Sequence, residues 1–249
     1  CRLFDVVSNA YDSRSTMTSE INMDDLWDFF FESGFIYPNK YSFLQPHKEQ
    51  FKETYRKLYR ECTEIFTSII FQKNGKIYGH NCTIKAYQRS WMIHHLAALS
   101  KGARQIGLEV MKQSHYYYDG MYRIPSLGMD YMIIYYRPEN KFPDYFFGGV
   151  YNHIHNPKAC SMDLFAYLHL NKSSSQGPAL KGQWELAPCT AEDHRELRAH
   201  YDKVSGGLML DMFGVDRHYG EERIEDTYKR LGLKRRCTAY ALKNYGLMK

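Results

Sequence analysis

The chain has 249 residues, of which 44% are hydrophobic and 24% charged, and its formal net charge at pH 7 is +5. These values are typical of a soluble protein with a full core and argue against intrinsic disorder. No run approaches the roughly 18 apolar residues that a membrane-spanning helix needs, so no membrane span is predicted.

Two helices and a hairpin are predicted in the first part of the chain. A helix is predicted over 23–31, where acidic residues in the first turn suit the positive end of a helix dipole. A second, amphipathic helix is predicted over 46–61. The strands 65–72 and 76–84 flank an Asn-Gly pair at 74–75, which favours the two-residue turn of a β-hairpin.

The next predicted strand, over 91–99, leads into a basic, glycine-containing turn, and the turn opens into a helix over about 104–118. A strand, a tight turn and a helix in this order aim backbone N–H groups and the positive end of the helix dipole at one point. The arrangement is therefore typical of a phosphate-binding site.

Two further strands are predicted over 131–136 and 161–170, on either side of a turn-rich segment that contains Asn140. Helices, an antiparallel meander and then alternating strands and helices predict a mixed α/β sheet. His153 and His155 have no acidic or cysteine partner nearby in the sequence, so no metal site is predicted.

In three of these segments the chain resembles the GCN5-related N-acetyltransferase (GNAT) superfamily, over about residues 3–170. The segments are the hairpin at 71–80, the strand-to-helix turn at 91–111, and Asn140 followed by the glycines at 148–149. The resemblance implies a GNAT-like α/β fold, in which a mixed, mostly antiparallel sheet is flanked by helices. It also implies that the turn binds the coenzyme A pyrophosphate and that Asn140 begins the helix against which the pantetheine lies.

By this resemblance the cofactor is acetyl-CoA or a longer acyl-CoA, which is a substrate, and the acceptor is an amine. Only Gly107 matches the family's pyrophosphate motif cleanly, because Gln105 and Gly102 stand where a small and a basic residue belong. Backbone N–H groups near Leu96 or Ala97 would polarise the acyl carbonyl if a bulge splays the strand there. The predicted cofactor-binding residues are Leu96, Ala97, Lys101, Gly102, Arg104, Gln105, Ile106, Gly107 and Asn140.

Acyl transfer to an amine also needs a base for the amine proton and an acid for the leaving thiolate. His94 and His95 lie where the resemblance places the acyl group, and either is an adequate base near neutral pH; the alternative is that they are core histidines. Strand alternation sends their side chains to opposite faces, so we expect at most one to reach the substrate. The family's usual acid, a tyrosine after Asn140, falls at Phe147 here, and nearby Tyr145 is the predicted acid.

A polar segment at 173–183 is predicted to be a linker. Residues 1–172 are predicted to form one GNAT-like domain, and 184–249 the incomplete start of a second similar domain in tandem. Its first helix has Thr190 as the predicted N-cap, with Asp193 three residues later. A lone helical extension is the alternative. Because the first residue is Cys rather than Met, we expect further domains on the same polypeptide.

The remaining composition favours a cytoplasmic protein that does not bind nucleic acid. The six cysteines are far apart and form no Cys-x-x-Cys pair, which predicts reduced thiols. Basic residues cluster at 229–230 and 234–236, but no aromatic RNP strand or zinc-finger spacing accompanies them. A solvated face is predicted there, and contact with a nucleotide or nucleic acid is the alternative.

Two functions remain open from the sequence. The first is an acyl-CoA-dependent N-acyltransferase, in which an amine attacks the acyl group directly with His94 or His95 as the base. The second is a catalytically inactive GNAT-like sensory or interaction module of a multidomain bacterial protein. The hairpin, the turn and Asn140 favour a ligand-binding cleft, whereas the degenerate pyrophosphate motif and the displaced tyrosine favour the inactive module.

Overall fold

The computed structural model describes residues 15–16, 21–99, 106–166, 184–214, 223–244 and 247–248. The chain divides into two compact units, Cys1–Tyr135 and Tyr136–Lys249. The predicted linker at 173–183 lies outside the described residues, and the predicted domain boundaries stay a prediction. Within the described ranges, no helix has the length and apolar character that crossing a membrane requires.

The first unit is built around one sheet. Its elements are β1 (Ser15–Thr16), α1 (Met23–Glu32), α2 (Pro38–Leu44), a 3-10 turn (Gln45–His47), α3 (Lys48–Glu61), β2 (Phe66–Lys73), β3 (Lys76–Tyr87), β4 (Ser90–Ile93), β5 (Ala97–Ala98), α4 (Ile106–Tyr122), a second 3-10 turn (Pro125–Leu127) and β6 (Tyr131–Ile134). The strand order is β1-β2-β3-β4-β6, and β5 also pairs with β3. All pairs are antiparallel except β4 with β6. This confirms the predicted mixed, mostly antiparallel sheet.

The first helices form largely where the sequence predicts them. The side chain of Asn22 accepts hydrogen bonds from the N–H groups of Asp24 and Asp25, which have no acceptor within helix α1. The predicted helix at 46–61 is shorter than expected. Pro46 lies in the 3-10 turn that separates α2 from α3, and α3 begins at Lys48.

The hairpin β2–β3 is confirmed, and its turn explains why it forms. Asn74 has a φ of 51° and Gly75 a φ of 78°. A two-residue type I′ turn needs positive φ at both positions, and Asn-Gly meets this need at little cost. The turn therefore joins Lys73 to its pairing partner Lys76.

Helices cover both faces of the sheet, because successive side chains of β3 contact different helices. The buried ring of His80 lies 5.1 Å from the ring of Phe30 in α1 and bonds to Tyr59 in α3. The next residue, Asn81, donates from Nδ2 to Ser114 Oγ in α4 over 2.7 Å. Successive strand residues face opposite sides, so α1 and α3 lie on one face and α4 on the other.

Helix α4 approaches the sheet closely at Gly79. A Cβ at this position would lie 2.6 Å from Val110 Cγ2 and 2.7 Å from Ile106 Cγ2. Both side chains belong to a buried cluster with Phe71, against which Leu96 packs. The absence of a side chain at Gly79 therefore lets the first turns of α4 lie against β3 and next to Leu96.

The second unit has a smaller sheet. Its elements are α5 (Lys141–Pro143), a π-helical turn (Asp144–Gly148), α6 (Gly149–Ile154), β7 (Trp184–Pro188), α7 (Ala191–Ser205), α8 (Leu208–Phe213), α9 (Ile224–Arg230), β8 (Tyr240–Asn244) and β9 (Leu247–Met248). The strands pair antiparallel in the order β7-β8-β9. The strand predicted over 161–170 is wrong for 161–166, where no described strand pairs with the backbone and Leu164 is 89% exposed; residues 167–170 lie outside the described ranges.

The predicted start of α7 is confirmed. Thr190 and Asp193 form a capping box, in which the Thr190 N–H donates to Asp193 Oδ2 over 2.7 Å and the Asp193 N–H donates to Thr190 Oγ1 over 3.3 Å. Asp193 Oδ2 also pairs with Lys243 Nζ of β8 at 2.8 Å. The Lys243 ammonium and the Thr190 N–H lower the pKa of Asp193 to about 2, so the helix is tied to the sheet by a charged carboxylate.

We predict that Gly79→Ala lowers the free energy of unfolding by roughly 1–3 kcal/mol, because Val110 and Ile106 must shift to admit the methyl group. Gly120→Ala in α4 is the matched control, since nothing lies within 4 Å of a Cβ there. Alanine in a helix is expected to be neutral or to stabilise by up to about 1 kcal/mol. Urea unfolding measures both values, and equal stability of the two variants would contradict the close approach of α4.

Candidate functional site

The site arises where the strand predicted over 91–99 is interrupted. β4 pairs with β3 up to Ile93 opposite Thr83, and the pairing resumes with Ala97 opposite His80. Three residues, 94–96, therefore face only two residues of β3. One extra residue on one strand of an antiparallel pair is a β-bulge.

The neighbouring strand β6 ends at the same level. It pairs with β4 in parallel from Ser90 opposite Tyr131 to Ile93 opposite Ile134, and no further. The predicted strand at 131–136 is thus two residues too long. Among the residues that the structure describes, no strand partner faces the bulge on the β6 side.

Two backbone groups of the bulge are bonded inward, toward β3. The His94 N–H donates to the carbonyl oxygen of Cys82 over 2.8 Å. Burial raises the pKa of the neighbouring Cys82 thiol to about 12. The His95 carbonyl oxygen accepts from His80 Nδ1 over 2.9 Å. These bonds hold both histidine backbones against β3.

The Leu96 N–H is different. Leu99 donates to the carbonyl oxygen of Tyr78 over 2.8 Å, and hydrogen-bonded pairs alternate along an antiparallel ladder. Ala97 and His80 are therefore the next hydrogen-bonded pair, and the Ala97 N–H faces β3. For the Leu96 N–H, by contrast, no acceptor exists among the described residues.

The rings of His94 and His95 lie on the same side of the strand. Their centroids are 4.0 Å apart and the planes differ by 19°. The predicted alternation to opposite faces is wrong, because the bulge breaks the two-residue period. The two environments still differ: His94 is exposed, whereas His95 is only 8% exposed, bonds through Nδ1 to the Tyr55 hydroxyl and lies 4.4 Å from the Phe35 ring.

The histidines of this cluster are held in the neutral form. Burial lowers the pKa of His95 to about 3 and that of His80 to about 4. Desolvation by its neighbours also lowers the pKa of His94, and the positive charge of Lys40 lowers it further. Lys40 Nζ lies 3.9 Å from the centroid of the Phe35 ring. A neutral imidazole at the surface is the form that can accept a proton from an amine.

The other predicted site residues are only partly covered by the structure. Ile106 begins α4, and its side chain belongs to the buried cluster against which Leu96 packs, so the start of α4 lies near the bulge; Gly107 follows in the same turn. Asn140 precedes α5 and Tyr145 is 81% exposed, but both belong to the second unit and their roles stay predictions. Outside the described residues lie Lys101, Gly102, Arg104 and Gln105.

Sequence reasoning missed three residues that support the bulge: His80, Tyr55 and Tyr59. A signal for His80 was present, because an antiparallel meander brings the second hairpin strand beside the strand that carries His94 and His95. In the described part of the chain, no group of three or more His, Cys, Asp or Glu side chains is arranged to hold a metal ion.

We predict that stability falls as the pH is lowered from about 6.5 toward 4. Once unfolded, His80 and His95 bind protons at their ordinary pKa near 6.5, but in the folded protein they stay neutral. The unfolded state therefore binds more protons in this range, which costs up to about 1.4 kcal/mol per pH unit for each histidine. Urea unfolding at pH 7, 6 and 5 tests this. Replacing the exposed His115 with Asn should leave the slope unchanged; a flat profile would contradict the assignment.

No protein-family profile matches the chain, and no curated protein matches it. Similar solved structures include the PaiA N-acetyltransferase from Thermoplasma acidophilum in complex with coenzyme A (10% identity, TM-score 0.42, 55% of this chain and 87% of that one). Others are a GNAT family acetyltransferase from Streptococcus pneumoniae (10%, 0.39, 64% and 97%) and glucosamine-6-phosphate N-acetyltransferase from Arabidopsis thaliana (15%, 0.37, 62% and 99%). The strand order of this chain, an antiparallel meander followed by a helix and a returning parallel strand, gives the mixed, mostly antiparallel α/β sheet that the resemblance implies.

Proposed function

We propose that the chain is an acyl-CoA-dependent N-acyltransferase. The observation that carries this proposal is the bulge at 94–96, where the Leu96 N–H has no acceptor among the described residues and the exposed, neutral ring of His94 lies two residues away. Acyl transfer to an amine requires both groups, a donor for the developing oxyanion and a base for the amine proton.

In the proposed reaction the acyl carbonyl oxygen accepts a hydrogen bond from the Leu96 N–H. The amine attacks the carbonyl carbon and forms the C–N bond, His94 takes the amine proton, and the C–S bond breaks to release coenzyme A as the thiolate. Leu96 is preferred to Ala97 because the Ala97 N–H faces β3. His94 is preferred to His95, since His95 is buried and bonded to Tyr55.

The start of α4 supports binding of the coenzyme A pyrophosphate. α4 has 17 residues and begins at Ile106, and the first N–H groups of a helix have no partner within it and attract anions. Leu96 packs against the buried cluster that includes Ile106, so the N-terminus of α4 lies near the proposed carbonyl site. Lys101 and Arg104 precede the helix in sequence and would add positive charge.

The inactive sensory or interaction module is the second candidate. It is favoured by the burial of His80 and His95, whose rings are hydrogen-bonded to Tyr59 and Tyr55, which leaves one exposed histidine at the site. Such a module would bind a ligand at the bulge without turning it over.

We also propose that residues 184–249 begin a second similar domain. β7, the helices α7–α9, β8 and β9 repeat the order of β1, α1–α3, β2 and β3. In each case the first strand pairs antiparallel with the first strand of the following hairpin.

Calorimetric titration tests the binding part of the proposal. Acetyl-CoA, a long-chain acyl-CoA and free coenzyme A are titrated into the wild type and into a Lys101→Ala/Arg104→Ala variant. We expect micromolar binding that weakens by about tenfold or more in the variant, because charge-assisted hydrogen bonds to phosphate are lost. Lys234→Ala/Arg236→Ala, at exposed positions of the second unit, is the control and should bind normally. If the wild type binds none of the three coenzyme A ligands, the acyltransferase proposal is overturned.

Turnover distinguishes the enzyme from the module. We predict that His94→Asn lowers kcat by roughly 10²–10⁴-fold, because the general base is lost, while the Kd for acyl-CoA stays unchanged. Release of free thiol with a panel of amines measures kcat, and the exposed His115→Asn is the matched control. Binding of acyl-CoA by the wild type with no thiol release from any amine would favour the module instead.

A further inference from the structure

We infer that His80 is a positioning residue: by holding the His95 carbonyl inward, it turns the Leu96 N–H outward to where the acyl oxygen binds. The inference rests on the proposed function and assigns a role to a side chain that cannot touch the substrate. His80 is fully buried, with its ring between α1, α3 and the sheet.

The geometry of one peptide bond makes the connection. The His95 carbonyl and the Leu96 N–H belong to the same peptide unit, which is planar and trans, so the two groups point in opposite directions. His80 Nδ1 donates to that carbonyl oxygen over 2.9 Å. A bond that fixes the carbonyl on the β3 side therefore fixes the N–H on the opposite side.

The bulge makes this bond necessary. In a regular ladder, the neighbouring strands would fix the orientation of each peptide. The peptide between His95 and Leu96 lies between the paired residues Ile93 and Ala97, outside both β4 and β5. In the described part of the chain, the bond from His80 is the hydrogen bond that this peptide makes. Without it, no hydrogen bond would oppose rotation of the peptide plane.

A second contact keeps the proton of His80 on the correct nitrogen. Tyr59 donates its hydroxyl to His80 Nε2 over 2.6 Å, so Nε2 is an acceptor and Nδ1 carries the proton. The Tyr59 hydroxyl and the His80 imidazole thus form one directed chain of donors that ends on the His95 carbonyl. Burial keeps His80 neutral above about pH 4, so the chain persists at neutral pH.

Three substitutions separate positioning from folding. His80→Phe keeps a ring but removes the donor, whereas His80→Asn keeps an N–H donor near the place of Nδ1. Thr83→Val is the matched control, because Thr83 is equally buried on the same strand but bonds to Tyr118 on the α4 face. Each variant is titrated with free coenzyme A and with the acetyl-CoA analogue in which CH2 replaces sulfur, and its kcat is measured.

We predict that His80→Phe lowers kcat by roughly 10²–10³-fold, as loss of an oxyanion-hole donor does, and abolishes the preference for the carbonyl analogue over free coenzyme A. Its affinity for free coenzyme A should match the wild type. His80→Asn should recover kcat to within about tenfold of the wild type, and Thr83→Val should keep the preference, because in both the N–H still faces outward.

A His80→Phe variant that keeps both kcat and the preference for the analogue would overturn the role of His80 and leave the proposed function standing. If the wild type binds no form of coenzyme A, the proposed function falls and the inference with it. If His80→Phe does not fold, the same measurements are made on Tyr59→Phe, and that variant tests the inference. Loss of its hydroxyl frees the His80 tautomer, so unchanged kcat in that variant would contradict the inference, and a reduced kcat with normal coenzyme A affinity would support it.

Discussion

The account depends on one extra residue between Ile93 and Ala97. The bulge interrupts the ladder with β3 at the level where β6 stops pairing with β4. It places the rings of His94 and His95 on one side of the strand, one exposed and one buried. It also leaves the Leu96 N–H with no described acceptor. In the proposed reaction, this N–H is the donor to the acyl oxygen and the exposed His94 is the base.

The residues around the bulge carry a cost in desolvation on one face of the sheet and in packing on the other. Two imidazoles are buried in neutral form, and each makes hydrogen bonds that offset its desolvation. On the other face, only a glycine at position 79 lets α4 lie so near β3. The face of the sheet covered by α1 and α3 therefore orients the backbone of the bulge. The opposite face brings the N-terminus of α4 beside it.

Turns and helix caps, which depend on residues close in sequence, could be predicted. The bulge and the side-chain directions around it, which depend on how two strands pair, could not. The turn at Asn74 and the cap at Thr190 follow from local backbone chemistry, and both are confirmed. The bulge depends on the register between β3 and β4, and an extra residue leaves the apolar pattern of 91–99 intact. The prediction that His94 and His95 point to opposite faces was wrong for the same reason, because alternation assumes an uninterrupted ladder. The fold class followed from element order, which the bulge does not change.

The measurement that most directly tests the central claim is the amide spectrum of the protein with 15N-labelled leucine. In it, the Leu96 N–H is followed during addition of free coenzyme A and then of the carbonyl-bearing acetyl-CoA analogue. The account predicts that the Leu96 proton moves downfield with the analogue alone, because a hydrogen bond to the carbonyl oxygen forms. Saturation with the analogue that leaves the Leu96 signal where free coenzyme A leaves it would contradict the account.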